Sequence, residues 1–385
     1  MFRILIKNGY VIDPSQNINE KMDIGLADDI IEDCEQHLSS SDYDKVIDAT
    51  DKLVIPGLID IHTHVAPHIT PALGVNADQY CLPFGTTTAV DAGSIGELTI
   101  KSFKEFIVNT SLTTIYSFIN AESLGMIEFP QEETEEKWPN LITQAGERYY
   151  NFFTNDKKTI KAIKENPDLV VGIKWAHHGR KSLKWSVDLA RKAGVIIMLE
   201  NHHMPESLNL LQNGDIITHI YHKFYNKLAG KIDGLTDEDG RIHNEFFKAY
   251  KNGVIFDLGH GSGSFSWEVA KTATSEGLFP HVISTDLWRS NINGPVFNLP
   301  LTMSKLLYLG MPLEDIIRAV THTPAKILKK EKEIGTLRPG AKGGVVIMDN
   351  IKGSAVLVDS YGDRKKVENF LFPNTTIYRG KIITT

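Results

Sequence analysis

The sequence predicts an α/β protein whose main part is a TIM-type (β/α)8 barrel, with a smaller unit formed by both ends of the chain. Between Pro56 and about Lys332, strand-like and helix-like segments alternate, which is typical of a parallel α/β arrangement. Several apolar runs in this region end in polar side chains, and a parallel barrel builds its active site at those ends of its strands. The 385 residues exceed the roughly 250 of a typical barrel, which leaves chain for a second unit.

Strand-like segments at the two termini predict that second unit. They are short and are separated by Asn-Gly, Pro-Ser and Asp-Asp turns. We expect the ends to meet in a discontinuous β domain of residues 1–55 and 334–385, beside a barrel of residues 56–333. The segments are residues 2–6, 10–13, 22–26 and 45–48 near the N-terminus, and 344–348 and 376–382 near the C-terminus.

Hydrophobic periodicity predicts individual elements of the barrel region. Residues 182–192 have helical spacing, and residues 195–199 follow Gly194 as a buried strand. Residues 312–328 predict a helix that is interrupted at Thr323 and Pro324.

Composition narrows the classes of function. The net charge of -7 comes without a cluster of Lys and Arg, which argues against a nucleic-acid partner. Two cysteines, Cys34 and Cys81, are too few for a disulfide framework and suit a reducing compartment. The N-terminal residues 1–9 contain no apolar run of signal-peptide length, and no later run reaches the roughly 20 apolar residues of a membrane span. We expect a cytoplasmic protein with a small-molecule substrate and no membrane partner.

The most informative motif is His62-Thr63-His64, at the end of an apolar run. Residues i and i+2 of a strand point to the same face, so the two imidazoles can hold one metal ion together. Three further apolar runs each end in a polar residue, namely Lys174, His219 and Asp286. In a parallel barrel these separate residues meet in one site.

These residues resemble the amidohydrolase superfamily of metal-dependent hydrolases. In the resemblance, the two histidines follow the first barrel strand, and Lys174, His219 and Asp286 follow the fourth, sixth and eighth. A narrower resemblance is to the amidohydrolase/deacetylase branch, whose members are often labelled adenine deaminase or dihydroorotase. It implies that the terminal unit is a β-sandwich and that the protein is a homo-oligomer. The segments that carry this narrower resemblance are residues 171–174, 214–219, 256–261 and 284–286.

The resemblance also implies a cofactor of two divalent metal ions. An unmodified lysine ammonium has no lone pair for a metal. In many members of the superfamily, the lysine at the position of Lys174 reacts with carbon dioxide, and its carbamate bridges the two metals. Zinc, manganese and iron all suit such ligands, with zinc as our expectation. The alternatives are that the Lys174 side chain extends its charged end to solvent or that it binds a substrate anion.

The fifth strand departs from the superfamily pattern. A histidine usually follows this strand, whereas here Glu200 occupies the position and His202 follows it. Both side chains lie on one face of an extended segment, so either can reach the second metal. We expect Glu200 to be the ligand, with His202 as the alternative ligand or a substrate contact.

Asp286 is the candidate general base. A carboxylate that touches one metal can accept a proton from a metal-bound water and later protonate the leaving group. A helix cap is the alternative role for this residue. His260, in a Gly-rich turn, can stabilise the developing oxyanion, and an ordinary structural histidine of the turn is the alternative. Arg289 can pair with a substrate carboxylate through its planar guanidinium, and a salt bridge at the surface or at an interface is the alternative.

The sequence therefore predicts an enzyme, a metal-dependent hydrolase of an amide, cyclic amide or ester bond in a small metabolite, with a metal-bridging hydroxide as nucleophile. It would act on carbon–nitrogen bonds other than peptide bonds, and esterase or deacetylase activity is compatible with the same site. The first alternative is an aminopurine-type deaminase. The second is a barrel that has lost catalysis and serves as a scaffold, for which missing ligands would be the mark.

Overall fold

The computed structural model describes residues 2–126, 154–176, 183–201, 204–223, 225–226, 231–232, 234–237 and 239–385. The chain begins in a mixed sheet, continues into alternating parallel strands and helices, and returns to the first sheet at its end. The strands are β1 Arg3–Asp13, β2 Ile18–Ala27, β3 Ile30–Glu35, β4 Lys45–Asp48, β5 Leu53–Pro56, β6 Leu58–Thr63, β7 Thr86–Ala92, β8 Thr114–Asn120, β9 Val170–Trp175, β10 Ile196–Glu200, β11 Ile216–Thr218, β12 Tyr225–Asn226, β13 Lys231–Ile232, β14 Ile255–Phe256, β15 Val345–Val358, β16 Arg364–Tyr378 and β17 Lys381–Thr384.

The middle of the chain forms a parallel sheet. Within the described ranges it has seven strands, in the order β14-β11-β10-β9-β8-β7-β6, so that consecutive parallel strands are neighbours apart from the β12-β13 hairpin. Parallel neighbours need crossover connections, which helices usually supply. The α-helices are Ala77–Tyr80, Ile100–Phe103, Asp156–Glu165, Leu183–Ala193, Asn244–Lys251, Trp267–Ser275, Leu299–Tyr308, Leu313–Val320 and His322–Ile327. Shorter helical turns are Ser40–Asp42, Leu82–Phe84, Lys104–Val108 and Glu206–Leu210.

Residues 282–287 bond to both edges of the parallel sheet. The Leu258 amide donates to Val282 at 3.0 Å beyond β14, and the Asp286 amide donates to His62 on β6 at 2.7 Å. The apolar run before Asp286, which the resemblance makes the eighth strand, is thus present only as isolated bridges. The physical reason is that side chains replace ladder bonds, since Asp60 accepts from the Thr285 amide at 3.1 Å.

Both ends of the chain contribute to one mixed sheet, in the order β17-β16-β15-β5-β1-β2-β3, with β4 paired to β1. The meeting of the termini is confirmed, because β5 pairs with both β1 and β15. The Asn8-Gly9 pair is a register irregularity inside β1 and not the predicted turn. Residues 376–382 divide into two strands at Arg379 and Gly380, which both have positive φ.

The helix predictions are confirmed with one shift. Leu183–Ala193 matches the helical spacing, and its buried side chains lie on one face. The interrupted helix breaks at Thr321, two residues before the predicted break, because Pro324 lies in the first turn of His322–Ile327, where its missing amide hydrogen costs little. Across the described residues, no helix is both long enough and apolar enough to span a bilayer.

Candidate active site

His62, His64 and Asp286 meet at the carboxyl end of β6. Their ligand atoms all lie within 4.8 Å of one another, so they could hold a metal ion together. The Oδ1 atom of Asp286 lies 3.0 Å from Nε2 of His64 and 3.4 Å from Nε2 of His62. The Asp286 side chain is 13 % exposed, so the cluster is not fully closed to solvent. Asp286 caps no helix, because the next described helix begins only at Leu299.

Lys174 and Glu200 extend this cluster from the adjacent strands β9 and β10. The Nζ atom of Lys174 lies 3.1 Å from Oε1 of Glu200 and 3.3 Å from Nε2 of His62. Both the lysine and the glutamate side chains are buried. The structure therefore brings Lys174 into direct contact with His62, and Glu200 into direct contact with Lys174.

His219 completes the group from the end of β11. Its Nε2 atom lies 3.7 Å from Oε1 of Glu200, and its ring centroid lies 5.0 Å from that of His62. Six of the predicted residues thus lie in one buried cluster. His202, the alternative fifth-strand ligand, lies outside the described residues.

Each histidine of the cluster has its Nδ1 atom engaged by the protein. Nδ1 of His62 lies 2.9 Å from Oγ1 of Thr218, whose hydroxyl donates to Asp257 at 2.6 Å. Nδ1 of His64 lies 2.8 Å from Oγ of Ser94, and Nδ1 of His219 lies 2.7 Å from the Gly259 carbonyl. Such partners fix the tautomer of metal-binding histidines and leave Nε2 free for the ion. All three Nε2 atoms are thereby available to the cluster.

The electrostatics of the cluster differ between His62, which is held in the neutral form that binds metals, and His219. Burial, together with the charge of Lys174, holds the pKa of His62 well below its usual value, so its imidazole is neutral. Burial also lowers the pKa of His219, but the hydrogen bond with Glu200 and the charge of Asp286 outweigh it and raise the pKa overall. A neutral imidazole and carboxylate oxygens are normal ligands of divalent metals. The donors of the cluster fit such a cofactor.

Two buried carboxylates, those of Asp257 and Asp60, form hydrogen bonds with His62. Burial raises the pKa of Asp257 to about 6, although hydrogen bonds from Ser284 and Thr218 oppose the increase. Asp60 accepts from the His62 amide at 3.2 Å and from Thr285, which joins β6 to residues 282–287. Sequence reasoning missed both residues. The available signal was an acidic residue inside an apolar run, where an unpaired charge would be costly.

The two predicted substrate contacts have different surroundings. His260 is buried, with Nδ1 2.9 Å from the Gly261 carbonyl and Nε2 2.5 Å from Nζ of Lys305. Both ring nitrogens therefore have partners within the protein, and a substrate role for His260 stays a prediction. Arg289 is exposed and donates to the Pro71 carbonyl at 3.1 Å, on the loop that follows His64. Its role toward a substrate carboxylate is likewise untested by these contacts.

Known proteins similar to this chain include deacetylases, dihydroorotases and an adenine deaminase. A deacetylase of Brucella anthropi is 30% identical over 342 residues, which cover 88% of this chain and 81% of that protein. The crystal structure of a dihydroorotase matches with a TM-score of 0.84 at 26% identity, covering 100% of this chain and 98% of that one. The crystal structure of an adenine deaminase matches with a TM-score of 0.83 at 27% identity, covering both chains completely. No protein-family model matches the chain.

The parallel α/β fold, the polar cluster at its carboxyl edge and these similarities define a hydrolase of carbon–nitrogen bonds other than peptide bonds. The chain belongs to the metal-dependent amidohydrolase superfamily, in the branch that contains the deacetylases.

Proposed function

We propose that the protein hydrolyses an amide, cyclic amide or ester bond of a small acidic metabolite, with two divalent metal ions as cofactor. The observation that carries the proposal is the convergence of six polar side chains from five positions along the parallel sheet, with every described histidine of the cluster directing Nε2 inward. A scaffold without catalysis has no need for such a cluster. We therefore favour an enzyme over a scaffold.

In this proposal, His62, His64 and Asp286 hold one metal, and His219 with Glu200 holds the other. His202 is the alternative to Glu200. A carbamate on Lys174 would supply oxygen ligands to both ions, which accounts for a lysine among ligands. When bound, the metals would polarise the scissile carbonyl and acidify a water molecule. Zinc is the proposed metal, and manganese and iron suit the same donors.

Asp286 is proposed to move the proton. Its Oδ1 atom faces the two histidines of β6, while the side chain remains partly exposed. The carboxylate can accept a proton from the attacking water and deliver it to the leaving nitrogen or oxygen. Arg289 is proposed to hold a substrate carboxylate outside the cluster, because its guanidinium is exposed only three residues further along the chain. His260 would contribute through the turn that it stabilises.

The proposed architecture is a closed (β/α)8 barrel of residues 56–333. Residues 282–287 would take the place of the eighth strand, which the bonds to both edges of the seven-stranded sheet support. We propose that residues 1–55 and 334–385 form the second domain as a β-sandwich. The shared sheet of the two termini supports this division.

Deamination of an aminopurine is the second candidate activity. It is favoured by the similarity to the adenine deaminase structure, which covers both chains completely. Both reactions add water to a trigonal carbon and expel a leaving group, so the cluster alone does not separate them. The two activities must therefore be distinguished by the contacts that bind the substrate outside the cluster.

The test is a panel of N-acyl amino acids, cyclic amides, esters and aminopurines, assayed with the metal-loaded protein. Turnover of one class of carbonyl compound should fall by about 100-fold or more in Asp286→Asn, because a positioned acid–base group contributes that much. Asp188→Asn is the control, since that carboxylate is half exposed and pairs only with Lys184 among the described residues. Full activity of Asp286→Asn would contradict the assigned role, and turnover of aminopurines alone would favour the deaminase.

A further inference from the structure

We propose that Lys305 is a positioning residue for the hydrolytic site, because it fixes the turn of residues 259–261 that contacts both His219 and Asp286. This inference rests on the proposed function, in which His219 holds a metal and Asp286 moves a proton. Lys305 lies in helix Leu299–Tyr308 and touches no residue of the cluster itself.

The surroundings of Lys305 are unusual for a lysine. The side chain is 1 % exposed, and its Nζ atom lies 2.7 Å from the Val358 carbonyl, 3.0 Å from the Pro295 carbonyl and 2.5 Å from Nε2 of His260. In its protonated form Lys305 has three N–H donors, and there is one acceptor for each of them. No ion pair of the described residues includes Lys305. Three neutral acceptors therefore surround its Nζ atom, and one of them belongs to the turn.

His260 connects Lys305 to the turn of residues 259–261. Its Nδ1 atom faces the Gly261 carbonyl at 2.9 Å, so the imidazole is a donor there and an acceptor toward Lys305. The ring also stacks on Phe265, with 4.7 Å between the ring centroids. The imidazole is thus fixed on three sides, and the turn that carries it is fixed as well.

The turn lies between a proposed metal ligand and the proposed general base. The Gly259 carbonyl accepts from Nδ1 of His219 at 2.7 Å. The Gly261 amide donates to the Thr285 carbonyl at 2.9 Å, immediately before Asp286. A Cβ atom at Gly261 would collide with Oδ2 of Asp286, which shows how closely the backbone approaches that carboxylate. A shift of this turn would therefore displace both functional side chains.

The connection between β15 and β16 holds the turn from the other sheet. The Ser360 hydroxyl donates to the Gly261 carbonyl at 3.0 Å, and the Ser360 amide donates to the Phe265 carbonyl at 3.0 Å. Val358, an acceptor for Lys305, is the last residue of β15. Lys305 thus joins the turn to the sheet built from the chain termini.

Replacement of Lys305 by methionine keeps the length of the side chain and removes all three donors. Buried acceptors left without donors are costly, so the turn should relax. A displacement of about 1 Å at a reacting group can reduce the rate by about 100-fold. We expect kcat of Lys305→Met to fall by about 10- to 100-fold, with KM changed by less than about threefold.

The experiment compares Lys305→Met with Leu306→Ala, which removes buried apolar contacts from the same helix and no side-chain hydrogen bond. Kinetics are normalised to bound metal and to folded protein. Hydrogen–deuterium exchange of the metal-loaded protein is measured for peptides that cover residues 256–266 and 358–364. If Lys305→Met does not fold, Lys305→Gln takes its place; it keeps two N–H donors on a shorter side chain, so a smaller increase in exchange of the same two peptides is expected.

Faster exchange confined to the two peptides, together with the loss in kcat, is expected for Lys305→Met and not for Leu306→Ala. Unchanged exchange in those peptides, or a normalised kcat equal to that of the wild type, would overturn the proposal. If the wild type turns over no compound of the panel, the proposed function fails, while the exchange data still decide whether Lys305 holds the turn.

Discussion

The Nζ atom of Lys174 lies 3.1 Å from Oε1 of Glu200, and both side chains are buried at the ends of adjacent parallel strands. As an ammonium, Lys174 forms a salt bridge with Glu200. As a carbamate, it would place a second negative charge beside the glutamate, and like charges at that distance disfavour ionisation unless cations lie between them. Carbamylation and metal binding should therefore depend on each other at this site.

The fifth-strand position gives the first prediction. If Glu200 is the ligand of the second metal, Glu200→Ala should lower the metal content by about one ion per protomer, because removal of a ligand weakens a site that needs all of its donors. His202→Ala is the matched variant and should retain the metal. Elemental analysis after gel filtration measures both. Loss of one ion in His202→Ala, with the metal retained in Glu200→Ala, would assign the ligand role to His202.

Alanine substitutions at two glycines test whether the close contact between the turn and Asp286 matters for activity. Gly261 and Gly277 both have positive φ, of 51° and 82°, but only Gly261 would direct a Cβ atom at another group. Alanine at either position should cost about 1–2 kcal/mol of folding free energy from backbone strain. Only Gly261→Ala should also lose kcat, by at least about 10-fold, because its methyl group displaces the Asp286 carboxylate. Equal kcat values for the two variants would show that Asp286 tolerates the displacement.

Asp257 is expected to orient His62 through Thr218. Asp257→Asn should weaken metal affinity or activity by about 10- to 100-fold, the usual effect of losing an outer partner of a metal-binding histidine. Asp13→Asn is the control, because Asp13 is equally buried in the terminal sheet and accepts from the Leu337 amide at 2.7 Å. Competition with a metal chelator measures affinity in both. A similar loss in the two variants would indicate a general effect of buried carboxylates.

Lys305 gives a prediction for the pH dependence of stability. Burial lowers its pKa to about 7, against a smaller opposite effect of Asp359. An unfolded lysine has a pKa near 10.4, so the unfolded state binds more protons between these values and stability should rise with pH in that window. Between about pH 7 and pH 10, the unfolding free energy of the wild type should therefore increase relative to that of Lys305→Met. A difference independent of pH in denaturant titrations would contradict this.

The central motifs could be predicted because they follow simple geometric rules. His62 and His64 share one face of a strand, and Lys174, His219 and Asp286 end apolar runs, so parallel strands bring them to one edge. The meeting of the termini followed from their similar strand patterns. These features depend on local periodicity, which a single sequence displays.

Other features depend on contacts between distant segments. Asp257 and Ser94 act through histidines that are far away in the sequence, and no local pattern connects them. The link from Lys305 to His260 joins a helix to a turn 45 residues earlier. Residues 282–287 did not form a regular strand, because Asp60 and Ser284 replaced backbone partners with side-chain oxygens. Replacement of a backbone partner by a side-chain oxygen depends on contacts that form only in the folded chain.

The most direct measurement is metal content per protomer together with intact mass under native conditions in bicarbonate. The proposed binuclear site requires about two divalent ions and a carbon-dioxide adduct, and both should be reduced or lost in Lys174→Ala. One metal without an adduct would contradict the bridging role of Lys174 and favour mononuclear deaminase chemistry. Correctly folded protein that binds no metal would contradict the hydrolase mechanism altogether.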